Sequence, residues 1–79
     1  MDQQTVELID VGSDELMTNI TIEEAKAIAL EAVPGQVTGI ANEGYSGKSS
    51  YAVEIIGENG IETDVFVNIK TGIILGTET

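Results

Sequence analysis

The sequence predicts an α+β fold in which one amphipathic helix packs on a four-stranded antiparallel β-meander. Two observations predict it. Apolar residues recur with a helical period of about 3.6 over residues 21–33. After Gly35 the period changes to two, and four runs rich in β-branched residues follow, separated by short turns that contain glycine. A chain of 79 residues accommodates one small domain of this kind.

The helix has a clear beginning, face and end. Thr21 and Glu24 are spaced as a capping box, in which each side chain accepts a hydrogen bond from the other residue's amide. Pro34 disfavours α geometry at Val33, and Gly35 is free to adopt a left-handed conformation, so the helix is predicted to stop there. At about 100° per residue, six apolar residues fall within an arc of about 140°: Ile22, Ala25, Ile28, Ala29, Ala32 and Val33. Three of them are alanines, which lets the helix axis approach the sheet closely.

The predicted strands cover residues 36–45, 49–56, 61–69 and 73–77. Three-residue loops at 58–60 and 70–72, each ending in a left-handed glycine, set the register of the last two hairpins. The predicted facing pairs are Ile55 with Thr63, Val53 with Val65, Tyr51 with Val67, Ile69 with Ile73, and Val67 with Leu75. This register gathers the aliphatic residues on one face, the core face, which the helix covers. The register of the first hairpin, through residues 46–48, stays open.

The opposite face of the sheet, the outer face, carries the candidate partner-binding residues. The predicted register places four further pairs there: Ala52 with Phe66, Glu54 with Asp64, Ile56 with Glu62, and Asn68 with Ile74. From these we take five candidates for contact with a partner: Phe66, Ile56, Glu54, Asp64 and Glu62.

Glu54 and Asp64 are like charges directly across the sheet, which is a destabilising arrangement. A cation, or a lysine or arginine of a partner, would relieve the repulsion at this pair and at Glu62 on the same face. Alternatively, the carboxylates point into water and interact weakly. No EF-hand spacing is present, so a high-affinity calcium loop is not supported. We assign no metal site and no cofactor.

The sequence leaves three interpretations of Phe66 open. It belongs to an apolar patch for a partner or a second copy of the chain, which would give a homodimer. Residues 1–19 fold across it, shielding it with Val6, Leu8 or Val11. Or it covers Gly76, its predicted neighbour on the last strand. The sheet edges offer another route, since a peptide can add a strand there, although acidic residues along an edge also prevent unwanted pairing.

Composition excludes several functions. The chain has no cysteine and no histidine, so the usual zinc ligands and the Ser-His and Cys-His nucleophile systems are absent. The carboxylates of the outer face lie on a convex, solvated surface, whereas acid catalysis needs a cleft. We therefore expect a protein that is not an enzyme.

The formal net charge of −11 argues against nucleic acid and against an anionic membrane surface as partners. No apolar run approaches the roughly 20 residues that span a bilayer, so no membrane insertion is expected. The first residues lack the pattern of a signal peptide. The chain is therefore either cytosolic or one domain of a longer exported protein.

The helix segment Ile20-Thr21-Ile22-Glu23-Glu24-Ala25, with Ala29-Leu30 and Val33-Pro34-Gly35 after it, resembles the helix of the PepSY domain family. Tyr51-Ala52-Val53-Glu54-Ile55 and the run from Val65 to Leu75, with its Thr71-Gly72 turn, resemble the strands of that family. The resemblance covers about residues 20–76. Asn68 departs from it, because family members often carry aspartate there, and this puts a cation role near the last turn in doubt.

The resemblance implies a protein-binding or regulatory module with no catalytic residues, located outside the cytoplasm. Such domains occur in propeptides of thermolysin-like metallopeptidases, so the implied partner is a protein, and a peptidase is one candidate that the module would restrain. The alternative is a structural spacer or self-association module of a larger secreted or membrane-anchored protein. The predicted organisation is an extended segment or linker at residues 1–19 and a PepSY-like domain at residues 20–77.

Overall fold

The computed structural model describes residues 19–79. One helix, α1 (Ile22–Ala32), precedes four strands: β1 (Gly35–Tyr45), β2 (Lys48–Gly57), β3 (Glu62–Asn68) and β4 (Ile74–Glu78). The strands form one antiparallel sheet in chain order, so the predicted α+β arrangement is confirmed. Nothing helical in these residues has the length and apolar character needed to cross a bilayer. The predicted lead-in over residues 1–19 lies outside the described residues, apart from Asn19.

The capping box of α1 is present as predicted. The Thr21 amide donates to Glu24 Oε1 at 2.7 Å, and the Glu24 amide donates to Thr21 Oγ1 at 3.0 Å. The helix ends at Ala32, because Val33 before the proline is already extended, with φ −132° and ψ 94°. Gly35 is not left-handed as predicted: its φ is 158°. Glycine is required there for another reason, since a Cβ would collide with the carbonyl oxygen of Ile56.

The core lies between the middle of α1 and the core face of the two central strands. Ala25 and Ala29 are fully buried against four sheet residues, Val53, Ile55, Val65 and Val67. The ends of the predicted apolar stripe are not buried, since Ile22 is 44% exposed and Ala32 is also exposed. The alanines thus define the contact, and they bring the helix backbone close to the sheet.

The predicted register of β2 with β3 is correct throughout. Ile55 faces Thr63, Val53 faces Val65, and Tyr51 faces Val67. The turn between the strands is the predicted three-residue loop, with Gly60 left-handed at φ 82°. Its amide donates to the Gly57 carbonyl at 2.9 Å. Loop chemistry and hydrophobic alternation agree here, and this agreement fixes the pairing.

The predicted register of β3 with β4 is wrong near the turn and right beyond it. Val67 pairs with Ile74 instead of Leu75, while Phe66 pairs with Gly76 as predicted, so Leu75 is the extra residue of a bulge. Asn68 causes the shift. Its Oδ1 accepts from the amides of Lys70 at 2.8 Å and Thr71 at 3.2 Å, which ends β3 at Asn68.

Two further expectations about this turn are also corrected. Asn68 does not face Ile74; its amide donates to the Ile73 carbonyl at 2.8 Å. Ile69 does not pair with Ile73; its amide donates to Ser49 at 3.1 Å, and its carbonyl accepts from Ile20 at 2.7 Å. Because a side-chain oxygen is all that the turn uses, asparagine serves there as aspartate would.

The first hairpin, whose register the sequence does not determine, closes through a two-residue turn. Ser46 and Gly47 have φ values of 51° and 78°, so Tyr45 faces Lys48. This register continues down β1 until a bulge leaves Thr38 unpaired between Val37 and Gly39. As a result, four residues of β1 share the outer face with Ala52 and Glu54: Gly39, Ala41, Glu43 and Tyr45.

Candidate functional site

The outer face divides into two parts. Around Phe66 it is aromatic; we call the set Tyr45, Ala52, Phe66 and Gly76 the aromatic end. Around Glu54 it is charged; we call the set Thr38, Glu54, Glu62 and Asp64 the acidic end. Of the five residues predicted from the sequence, Glu54, Glu62 and Asp64 come together at the acidic end. Ile56 is half-buried opposite Glu62. Phe66 lies apart from these residues, at the aromatic end.

Phe66 is covered within the domain. It is only 4% exposed, because the Tyr45 ring stacks on it with 4.5 Å between centroids and 25° between planes. Tyr45 also covers Gly76, where an added Cβ would collide with the phenol ring. The predicted pairing of Phe66 with Gly76 is thus present, with Tyr45 as the cover. A partner approaching this end meets Tyr45 before Phe66. Coverage by residues 1–19 lies outside the described residues.

The acidic end follows from the register of β2 with β3. Glu54 and Asp64 face each other as predicted, and Glu62 lies two pairs further on, opposite Ile56 on the same face. Each of the three offers a carboxylate oxygen within 4.8 Å of the others. The bulge adds Thr38, whose hydroxyl donates to Glu54 Oε1 at 2.9 Å. The same oxygen lies 3.4 Å from where a Cβ on Gly39 would be. The Glu54 carboxylate therefore extends over β1.

Two of these carboxyl groups share a hydrogen bond, which moves their pKa values in opposite directions. The bond from Glu62, and then the bond from the Thr38 hydroxyl, hold the pKa of Glu54 below its usual value. The same bond to Glu54 raises the pKa of Glu62, and the negative charges of Glu54 and Asp64 raise it further.

Carboxylate oxygens are the ligands that hard divalent cations prefer, so Glu54, Glu62 and Asp64 are the described residues best placed to hold one. Exposed acidic groups are common without an ion, and proximity alone does not assign one. The arrangement equally accepts an ammonium or guanidinium group from another protein.

A shallow groove of about 210 Å³ runs over the outer face from the acidic end toward the edge of the sheet. Its floor is made of small residues, Gly39, Ala41 and Ala52, and carboxylates stand around it at Glu43, Glu54 and Asp64. Sequence reasoning missed the part of the groove on β1, because the register of the first hairpin was undetermined. The signal available for it was Ser46-Gly47, a dipeptide suited to a two-residue turn.

A second groove of about 480 Å³ lies where α1 ends, between Pro34 and the turn that joins β2 to β3. Apolar atoms of Val33, Pro34 and Ile61 line it, and Ile61 is 51% exposed. Among the described residues, nothing charged converges on it except Glu58. The outer face has more charged side chains for a partner to recognise than this second groove does.

The fold and this face define a small α+β module with one helix on an antiparallel sheet and an acidic surface opposite the helix. The sequence matches the PepSY family, described as peptidase propeptide and YPEB domain, over residues 19–78. The chain belongs to this family. No curated protein and no solved structure was found to match it. PepSY domains are generally non-catalytic, are associated with peptidase propeptides and are typically extracytoplasmic.

Proposed function

We propose that this chain is a non-enzymatic module that acts outside the cytoplasm, binds a protein through its outer face, and restrains a metallopeptidase partner. Membership of a family of propeptide domains supports the class of partner. The observation that carries the proposal is the groove on the outer face, where small residues form a floor between the carboxylates of Glu43, Glu54 and Asp64.

The charge of the chain favours a basic surface on the partner. Fourteen acidic residues against three basic ones give a net charge of −11, which attracts a cationic surface over a Debye length and speeds association. Contacts at the outer face then select the partner, because Lys or Arg side chains there relieve the repulsion among Glu54, Glu62 and Asp64.

A binding role suits the paired carboxyl groups of the acidic end better than catalysis does. Glu62 is exposed and Glu54 is half-buried, on an open face. General acid catalysis by a carboxyl group requires a substrate held against it and water excluded from it. The groove is too shallow to do either, and it leaves these groups available for ion pairing.

The test uses the protein as bait on an extract of the cell envelope of the source organism, followed by assay of the retained peptidase. The outer-face variant is Glu54→Gln with Asp64→Asn, and the matched control is Glu23→Gln with Glu31→Gln on the exposed side of α1. Both variants remove two negative charges. We expect the native domain and the control to retain a metallopeptidase and to slow its hydrolysis of a peptide substrate, and the outer-face variant to lose both effects.

Retention of a peptidase by all three baits would contradict the outer face as the binding site. Retention of no protein by any bait would contradict the binding role and favour a spacer. A concentration-dependent dimer in sedimentation, lost in the outer-face variant, would instead favour self-association.

A further inference from the structure

β1 is an edge strand of the described sheet, and it is poorly protected. It runs for 11 residues and carries one charged residue, Glu43. The other edge strand, β4, has five residues and is interrupted by a bulge at Leu75. Charges, prolines, bulges and short length are the usual means of preventing another chain from pairing with an edge. Beyond its bulge at Thr38, β1 pairs regularly with β2 from Gly39 to Tyr45. In that stretch Glu43 is the one feature that would discourage another chain from pairing.

The two-residue turn indicates which backbone groups of β1 face away from the sheet. In such a hairpin the residues that flank the turn, Tyr45 and Lys48, exchange hydrogen bonds, and the pattern alternates from there. Glu43 and Ala41 then bond toward β2. The amides and carbonyls of three residues point outward: Ile40, Asn42 and Gly44. Among the described residues, no backbone hydrogen bond other than those within the sheet involves these three.

The side chains beside this edge select the residue that an added strand would place there. Strands lie about 4.8 Å apart, and facing residues of an antiparallel pair point to the same side. A residue opposite Gly39 or Ala41 therefore lies over the outer face. Its side chain would cross small residues only and meet the Glu54 carboxylate, which already extends over Gly39 at 3.4 Å from its Cβ position. A lysine side chain, about 6 Å long, exceeds the strand spacing of about 4.8 Å and therefore reaches over Gly39.

Building on the proposed function, we propose that the β1 edge from Gly39 to Tyr45 binds an extended basic segment of the partner as a fifth, antiparallel strand. Alternate Lys or Arg side chains of this segment cross the groove toward Glu54 and Glu43. The main chain supplies affinity through Ile40, Asn42 and Gly44. The carboxylates supply selectivity, because an acidic segment would be repelled by the same groups.

The experiment is a titration of the ¹⁵N-labelled full chain, followed by NMR, with a capped eight-residue peptide that alternates Lys and Thr. A second peptide has the same side chains but carries N-methyl groups on the amides of its Thr residues, so that the edge facing Ile40, Asn42 and Gly44 cannot pair. A third has Glu in place of Lys. We expect the first peptide to shift the amides of Ile40, Asn42 and Gly44 and to slow their hydrogen exchange. We expect the other two to bind at least about tenfold more weakly.

Variants of the domain separate the two parts of the interaction. Glu54→Gln should weaken binding of the Lys peptide and reduce its salt dependence, and the matched control Glu31→Gln on α1 should bind as the native chain does. Asn42→Pro removes one outward amide and should weaken the peptide regardless of charge; its fold is checked by the dispersion of its spectrum. If Asn42→Pro does not fold, the N-methylated peptide tests the same hydrogen bonds.

Equal binding of the methylated and unmethylated peptides would overturn the proposal, because charge alone would then account for it. Shifts confined to β4, or no binding, would overturn it as well. So would contacts between residues 1–18 and β1 in the free protein, since the edge would then be occupied. If the domain retains a peptidase through the outer face while no peptide binds at β1, the proposed function stands and this inference fails.

Discussion

Glu54 is the residue on which the candidate site depends most. It faces Asp64 across the sheet, lies beside Glu62, and accepts a hydrogen bond from the Thr38 hydroxyl. The bond from Thr38 holds the charged Glu54 side chain over Gly39 instead of leaving it free in solvent. A carboxylate fixed by its neighbours loses less conformational entropy when a cationic group binds it, which favours recognition.

Replacing Glu62, whose pKa is raised by its acidic neighbours, should stabilise the free domain near neutral pH. Because the folded pKa of Glu62 is raised, its charged form is disfavoured in the folded state, and stability falls as pH rises through the window from the usual glutamate pKa to the raised one. Glu62→Gln removes that charge and supplies an amide that still donates to Glu54. We expect its melting temperature to exceed that of the native chain above this window.

The shift of Glu54 has the opposite sign. Its lowered pKa contributes stability above the usual glutamate pKa, and this contribution is lost as pH falls through the folded value. Glu62→Gln leaves that part in place. Thermal melts of the variant and the native chain across the acidic range would show the difference growing with pH. Glu31→Gln is the control, and an equal gain for both variants would show that only net charge matters.

At the scale of elements, the distance between α1 and the sheet is set by alanines. Ala25 and Ala29 are completely buried in the core, and no part of either is accessible to solvent. Residues of this size place the helix backbone against Val53 and Val65 and leave no room for growth. A small domain has a small core, so the packing of these two alanines against the sheet contributes much of its stability.

Enlarging one of these residues should be costly. Ala29→Leu inserts three carbon atoms into a filled contact, and we expect it to lower the free energy of unfolding by about 1–3 kcal/mol. Ala27→Leu lies on the exposed side of the same helix and should change stability little. Urea denaturation of both variants makes the comparison. A tolerated leucine at position 29 would mean that α1 moves outward easily.

At the scale of the whole molecule, negative charges greatly outnumber positive ones. The chain has a net charge of −11 and a calculated isoelectric point of about 4.1. Self-repulsion keeps it soluble and also opposes the compact state. A basic partner removes part of that repulsion, so binding and stability are linked through the same charges.

Salt should therefore act in opposite directions on folding and on binding. Raising NaCl from about 0.01 M to about 0.3 M shortens the Debye length, and we expect the melting temperature of the free chain to rise. Retention of the partner or of the Lys peptide should weaken over the same range. The control is a pH near 4.1, where the net charge is small and the effect of salt on melting should largely disappear. A melting temperature that falls with salt at neutral pH would contradict this account.

The parts of the fold that were predicted correctly are those where local chemistry and hydrophobic alternation agree. Thr21 and Glu24 define the start of α1 by themselves, and the loop at residues 58–60 defines the pairing of Glu54 with Asp64. The register of β4 differs from the predicted one because the Asn68 side chain hydrogen-bonds to the turn. The alternation of apolar residues gives no sign of this bond. Tyr45 was missed because the sequence leaves the register of the first hairpin open, and this register decides which face of the sheet Tyr45 lies on.

The contact of Tyr45 with Gly76 joins the first strand of the sheet to the last, although two strands lie between them. β4 is short and has one neighbour in the described sheet, so it is the strand expected to fray first. Its departure would uncover Tyr45 and Phe66 together and release the tip of the first hairpin. We expect loss of β4 and loosening of the first hairpin's tip to be coupled through this contact, so that a segment that holds β1 in place also lengthens the lifetime of β4.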